Sequence, residues 1–243
     1  MSERTPSLAV PQVALLALFV TALVTAQVTA AKILAFSIPL SLPVTGSTLT
    51  LPGAALAYAL TFFASDCYAE LYGKRAAQVM VNVAFAMNFV LLALVWSTIF
   101  APAAPTSIDP TQFRQVLGAS TNIVIASLSA YVVSQNWDVL VFHRLREATD
   151  GERLWLRNIA STASSQLLDT VIFVTLGFLV VPELLGVGVA PPIPVIASLI
   201  VGQYLLKLLI ALVDTPFVYA VVGFVRSREP ATAAPTATDG EPR

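Results

Sequence analysis

Six runs of about 20 or more apolar residues dominate this chain of 243 residues. A run of that length is what a helix needs to cross the hydrocarbon core of a bilayer. The runs cover about 13–36, 51–71, 76–100, 118–142, 159–181 and 193–225. Charged residues make up only 11% of the chain and hydrophobic ones 57%, where a soluble domain carries roughly 25% charged. Mean hydropathy is +0.81. That surface is suited to lipid, so the expected fold is an all-α integral membrane protein with six transmembrane helices, multi-pass in the cell membrane. Arg4 followed by an apolar run has the outline of a secretory signal, but the run is long and five more follow, so a retained first helix is expected.

Basic residues orient such a chain, because short loops rich in Lys and Arg stay cytoplasmic. Ten of the 13 fall at the N-terminus, after runs two and four, and at the C-terminus: Arg4, Lys74, Arg75, Arg144, Arg146, Arg153, Arg157, Arg226, Arg228 and Arg243. The loops on the opposite side hold only Arg114. Both termini are therefore expected in the cytoplasm. The first outer loop, "SIPLSLPVTGSTLTLPG", alternates apolar and polar residues around Thr45-Gly46-Ser47, the pattern of a short β-hairpin. Pro39 and Pro43 should weaken its pairing. The second outer loop, "APAAPTSIDPTQFRQ", is Pro-rich and expected to be irregular. Residues 1–226 read as one transmembrane domain and 227–243 as a disordered tail of low complexity.

Several functions are disfavoured at once. A net charge of −1 gives no bulk attraction to nucleic acid. One cysteine, Cys67, and one histidine, His143, cannot build a Cys or His metal cluster. No cofactor or metal is expected. Cys67 lies among apolar residues and reads as a small buried hydrophobe.

Ionisable residues inside a span are costly and mark candidate sites. Asp169 lies twelve residues along its helix from Arg157, Asp214 twelve back from Arg226, and Asn88 twelve in from Ala76. At 1.5 Å per residue each is roughly 18 Å deep, near the middle of the membrane. Ser161, Ser165 and Asp169, with Gln166 beside them, form a polar stripe by three-and-four spacing. Such a stripe suits either a helix-packing face or a substrate-lined one. Asp214 precedes Thr215 and Pro216, and Pro216 should kink the last helix. Lys207 is placed to pair with Asp169 or to meet a substrate, while Lys32 is placed to snorkel.

The stretch "SDCYAELYGKRAA" puts Asp66, Glu70 and Lys74 on one helical face. Glu70 and Lys74 can pair, and Asp66 then faces inward. Asp138 sits at comparable depth on the fourth helix. Asp66, Glu70 and Asp138 with Lys74, Arg75, Arg144 and Arg157 form a candidate cytoplasmic ion-pair network or gate. In the first helix Ala22, Ala26 and Ala30 repeat in small-xxx-small spacing, a face for internal packing or for docking another subunit.

"SDCYAELYGKRAA", "WDVLVFHRLR", "WLRNIASTASSQLLDTVIF" and "LLKLLIALVDTPFVYAV" occur in that order. Together they resemble the queuosine precursor transporter (vitamin uptake transporter) family, over about 29–222. The resemblance implies a six-helix importer of 7-deazaguanine bases, with a fold related to the substrate-binding subunits of energy-coupling-factor (ECF) vitamin transporters. A carboxylate can accept the two adjacent N–H donors of a guanine-like edge. Asp169 is the first candidate, with Gln166, Asn88, Asp214 and Lys207 in support and Phe173 or Tyr204 to stack. The expected partners are a nucleobase-like small molecule and the lipid bilayer, with ECF coupling subunits as an alternative requirement. The chain carries no Walker motif with which to hydrolyse ATP itself. An intramembrane aspartyl protease using Asp169 and Asp214 is the enzymatic alternative, but the Gly-x-Gly-Asp context is missing.

Overall fold

The computed structural model describes residues 10–149 and 153–228. The tail expected to be disordered lies almost wholly outside the described residues, from 229 onward. Helix α1 spans Val10–Thr29, strands β1 and β2 span Ile33–Leu42 and Gly46–Pro52, and α2 spans Ala55–Tyr72. Helices α3 (Lys74–Phe100), α4 (Pro110–Gly118), α5 (Ser120–Ala148) and α6 (Leu154–Thr175) follow. A π-helical turn, Leu176–Val180, joins α6 to the short α7 (Val181–Leu185), and α8 (Ile193–Arg228) ends the described chain. Five helical segments are long and apolar enough to cross a membrane: α1, α3, α4 with α5, Ile159–Leu185, and α8. Helix α2 carries Asp66 and Glu70 and falls outside that set.

The expected hairpin forms, and it is longer than its alternation suggested. Strand β1 pairs antiparallel with β2 from Ile33 opposite Pro52 to Leu42 opposite Gly46. The register is irregular between Ser37 and Leu42, around Pro39, which has no N–H to give the ladder. The hairpin corrects two span boundaries. The first helix ends at Thr29 rather than near residue 36, and the second begins at Ala55 rather than 51. The apolar run 33–36 is strand, because a short apolar run reads equally as either element until pairing decides it.

The Pro-rich outer loop is irregular only up to Asp109. There the Asp109 side chain accepts the Gln112 N–H at 2.9 Å and Pro110 occupies the first turn, a strong helix start. Helix α8 runs unbroken through Pro216, since membrane helices tolerate proline where neighbours satisfy the freed carbonyl.

Two clusters form the interior. One gathers Ala26, Ala30, Ala126, Ala130, Phe173, Phe178 and Leu199. The other gathers Phe19, Leu23, Ala64, Cys67, Tyr68, Met80 and Ala84. Cys67 is fully buried, as its surroundings suggested. Ala22, Ala26 and Ala30 are all buried, so the alanine stripe packs internally. Large apolar side chains face outward along α3, α5 and α8, as a lipid-facing surface requires.

The hairpin is fastened to α8. Ser198 Oγ donates to Thr50 Oγ1 at 2.9 Å. A Cβ on Gly202 would stand 2.1 Å from the Thr50 carbonyl oxygen, a contact only glycine permits. Gly202→Ala should therefore lower stability by about 1–3 kcal/mol, read as thermal unfolding in detergent. Gly223→Ala, where a Cβ would meet nothing within 4 Å, is the matched control and should be neutral or slightly stabilising. Equal unfolding temperatures for the two variants would show that the close approach contributes nothing.

Candidate functional site

Two charges placed deep in the spans find each other across α6 and α8. Lys207 Nζ on α8 donates to Asp169 Oδ2 on α6 at 2.5 Å, with side-chain exposures of 5% and 15%. Ser134 Oγ on α5 donates to Asp169 Oδ1 at 3.2 Å. An isolated charge at this depth would be strongly unfavourable, and pairing removes most of that cost. The Lys207 ammonium also stands 5.9 Å from the Tyr58 ring, within range of a cation–π attraction. One turn away, Ser165 Oγ donates to Asp138 Oδ1 at 3.2 Å. Ser134–Asp169 and Asp138–Ser165 thus repeat along the antiparallel α5–α6 seam. The polar stripe read from the sequence is, in part, this seam.

The basic-end network takes a different form from the one expected. Glu70 pairs with Arg226 at 3.1 Å, and Arg226 also donates to the Glu70 carbonyl at 3.0 Å. The expected Glu70–Lys74 pair is replaced because Gly73, at φ 89°, ends α2, and Lys74 opens α3. The i, i+4 rule holds only within one helix. Asp138 is bonded to Ser165, and buried Arg157 lies 5.3 Å from the Phe142 ring.

Four of the predicted residues meet at one cavity. Asp66 of α2, Gln166 of α6, and Lys207 and Asp214 of α8 line a space of 520 Å³, together with Phe62 and Thr162. That volume is in the range of small-molecule sites. Asp66 is exposed there and Asp214 is half-buried. Asp169 does not line this cavity and touches it only through Lys207. Asn88 does not line it either. It is 1% exposed on α3, with neither side-chain polar atom hydrogen-bonded within the protein.

A second, narrower cavity lies toward the hairpin. Gln27 of α1, Tyr58 of α2, Ser127 of α5, Phe173 of α6, and Gln203 and Lys207 of α8 line it, beneath Pro52 and Ala54. Lys207 therefore belongs to both cavities. Sequence reasoning missed Gln27, Ser127 and Gln203. The available signal was Gln203, four residues before Lys207 and so on the same face. Phe173 reaches this cavity, whereas the Tyr204 hydroxyl donates to the Ala163 carbonyl at 3.4 Å.

The ion pair predicts a thermodynamic coupling. Asp169→Asn and Lys207→Met, each leaving one buried charge without its counter-ion, should each cost about 3–5 kcal/mol of stability. The double variant Asp169→Asn/Lys207→Met should recover most of that loss. A double-mutant cycle read by thermal unfolding checks it, and additive losses would show that the two groups do not act as a pair.

Comparison with known proteins agrees with this architecture. Residues 52–221 match the family described as "Putative vitamin uptake transporter". A protein of Bacillus subtilis (strain 168) named "Probable queuosine precursor transporter" is 31% identical over 173 residues, covering 71% of this chain and 72% of the relative. A protein of the same name from Haemophilus influenzae (strain ATCC 51907 / DSM 11121 / KW20 / Rd) is 29% identical over 140 residues, covering 55% of this chain and 52% of the relative. No solved structure matches. With most of its length matched, from the end of the hairpin into α8, the chain belongs to the vitamin uptake transporter family, multi-pass transporters of the cell membrane and not enzymes.

Proposed function

We propose that this chain imports queuosine precursors, the 7-deazaguanine bases salvaged for tRNA modification, as a six-span carrier with both termini in the cytoplasm. Helix α2 supplies the sixth span. Its 18 residues reach about 27 Å, close to the ~30 Å of a hydrocarbon core. It runs from the hairpin back along α1: Gln12, near the start of α1, donates to the Tyr68 hydroxyl near the end of α2 at 3.1 Å. Glu70 then meets Arg226 at the ends of α2 and α8, which gathers the basic residues on one side, the cytoplasmic side by their abundance.

The observation that carries the reading is the 520 Å³ cavity with two carboxylates, an amide and an ammonium on its wall. A 7-deazaguanine edge offers adjacent N–H donors beside a carbonyl. Asp214 or Asp66 accepts the donors, strengthened by charge. Gln166 reads the neighbouring position, and Lys207 can donate to the carbonyl when it leaves Asp169. Asp169 thus acts through Lys207, holding it ready or receiving a donor when it is released. Glu70, Arg226 and Asp138 are outside this chemistry and tie helix ends and seams together.

A binding subunit that needs a separate ECF ATPase module is the second reading. Its one sequence argument was the alanine face on α1, and that face is packed inside the chain. The test is uptake of labelled precursor in a host that can neither make it nor supply ECF subunits. The chain alone should restore uptake. At least one of Asp66→Asn and Asp214→Asn should cut it about tenfold or more, the scale of one lost charge-assisted bond. Glu70→Gln, at an exposed pair, should cost less than ~1 kcal/mol of stability and leave substrate preference unchanged. Failure of the chain alone, rescued by adding ECF subunits, would turn the reading to the second one.

A further inference from the structure

The narrow cavity beneath the hairpin holds polar groups that the fold itself does not use. Gln27 is 2% exposed and Gln203 is 5% exposed. The Oε1 atom of each is buried without a hydrogen-bond partner within the protein. They come from different helices, α1 and α8, yet line the same space. A buried acceptor left unpaired is destabilising, and two side chains that each carry one, lining the same cavity, are hard to explain as packing. Packing alone would be served better by leucine or methionine.

The rest of the wall states what would satisfy them. Lys207 adds a donor, Tyr58 and Ser127 add hydroxyls, and Phe173 adds an aromatic ring. The Lys207 charge is balanced by Asp169, so the wall has no net charge to offer a phosphate. We propose that this cavity is a second, hairpin-side recognition station for a neutral planar heterocycle, with Gln27 and Gln203 accepting its N–H donors and Lys207 or Tyr58 meeting its carbonyl. This rests on the importer reading and deepens it: the free base is the ligand, and its amino-bearing edge is what the glutamines select. The open volume is 20 Å³, room for about one water. This conformation is therefore the closed station, and a base enters when β2 and the start of α2 draw back from α8. Lys207, shared by both cavities, stands at the passage between the station and the larger cavity.

The test is binding by the full-length protein in lipid nanodiscs, with 7-deazaguanine and 7-deazahypoxanthine as probes. They differ only in the exocyclic amino group. Wild-type protein should prefer 7-deazaguanine by about tenfold or more, since the analogue leaves a buried acceptor unpaired. Gln27→Met and Gln203→Met should keep or raise thermal stability, because each removes an unpaired buried amide oxygen. At least one should also weaken 7-deazaguanine binding about tenfold and erase the preference. Both variants binding and discriminating as wild type would overturn the station and leave the importer reading standing. Lower stability in both variants with the preference intact would make the glutamines structural and overturn it equally. Wild-type protein that binds neither probe would sink the importer reading itself.

Discussion

A charged side chain in hydrocarbon must be neutralised, and in this chain Lys207 and Asp169 do this for each other across α6 and α8. Much else follows from where that pair sits. Ser134 adds α5 to it, and the same seam repeats one turn away through Asp138 and Ser165. The pair fixes three helices at a common depth. It also places the one buried lysine among the described residues where two cavities meet. For a carrier of neutral bases this arrangement has a clear chemical use. The pair contributes a strong donor and a strong acceptor without net charge, and either can be lent to a ligand while the other stays partly bonded.

The hairpin end is built on close backbone approach rather than on side chains. Gly202 lets the Thr50 carbonyl rest against α8, and Gly53 fits against the carbonyls of Thr29 and Lys32. Apolar packing then continues from Ala54 into Ala26, Ala30 and Leu199. The opposite end is held differently. Its Glu70–Arg226 pair is exposed, of the kind worth little in water, and the 520 Å³ cavity is on that side. The hairpin is held to α8 by steric fit, and the other end is tied by exposed charges.

Much of this was legible in the residues. The apolar runs announced the membrane helices, and depth singled out Asp169, Asp214 and Lys207 because few charges lie so far from a basic loop. The Asp169–Lys207 pair was foreseeable as the nearest way to neutralise both. What escaped depends on tertiary contact or on a local break. Residues 33–36 are as apolar as a helix and become strand only through β2. Gly73 ends α2 and redirects Glu70 from Lys74 to Arg226. Helix α4 was hidden by its prolines, although Asp109-Pro110 is a good start signal. Gln27 and Gln203 carry no charge, so electrostatic cost does not mark them in the sequence. They stand out only when two side chains with unpaired oxygens are found lining one space.

Helix α2 has one more consequence, for how the chain enters the membrane. With Asp66 and Glu70 in its last turns, α2 falls outside the helices apolar enough to cross a membrane by themselves, since each acid in a span opposes insertion. Left alone, such a segment would partition poorly into the bilayer. The β-hairpin joins it directly to α1, and the Gln12–Tyr68 bond closes the far end of the pair. Helices α1 and α2 would then enter as one folded unit, the first carrying the second, and α8, later in the chain, would complete the acid-lined wall after them.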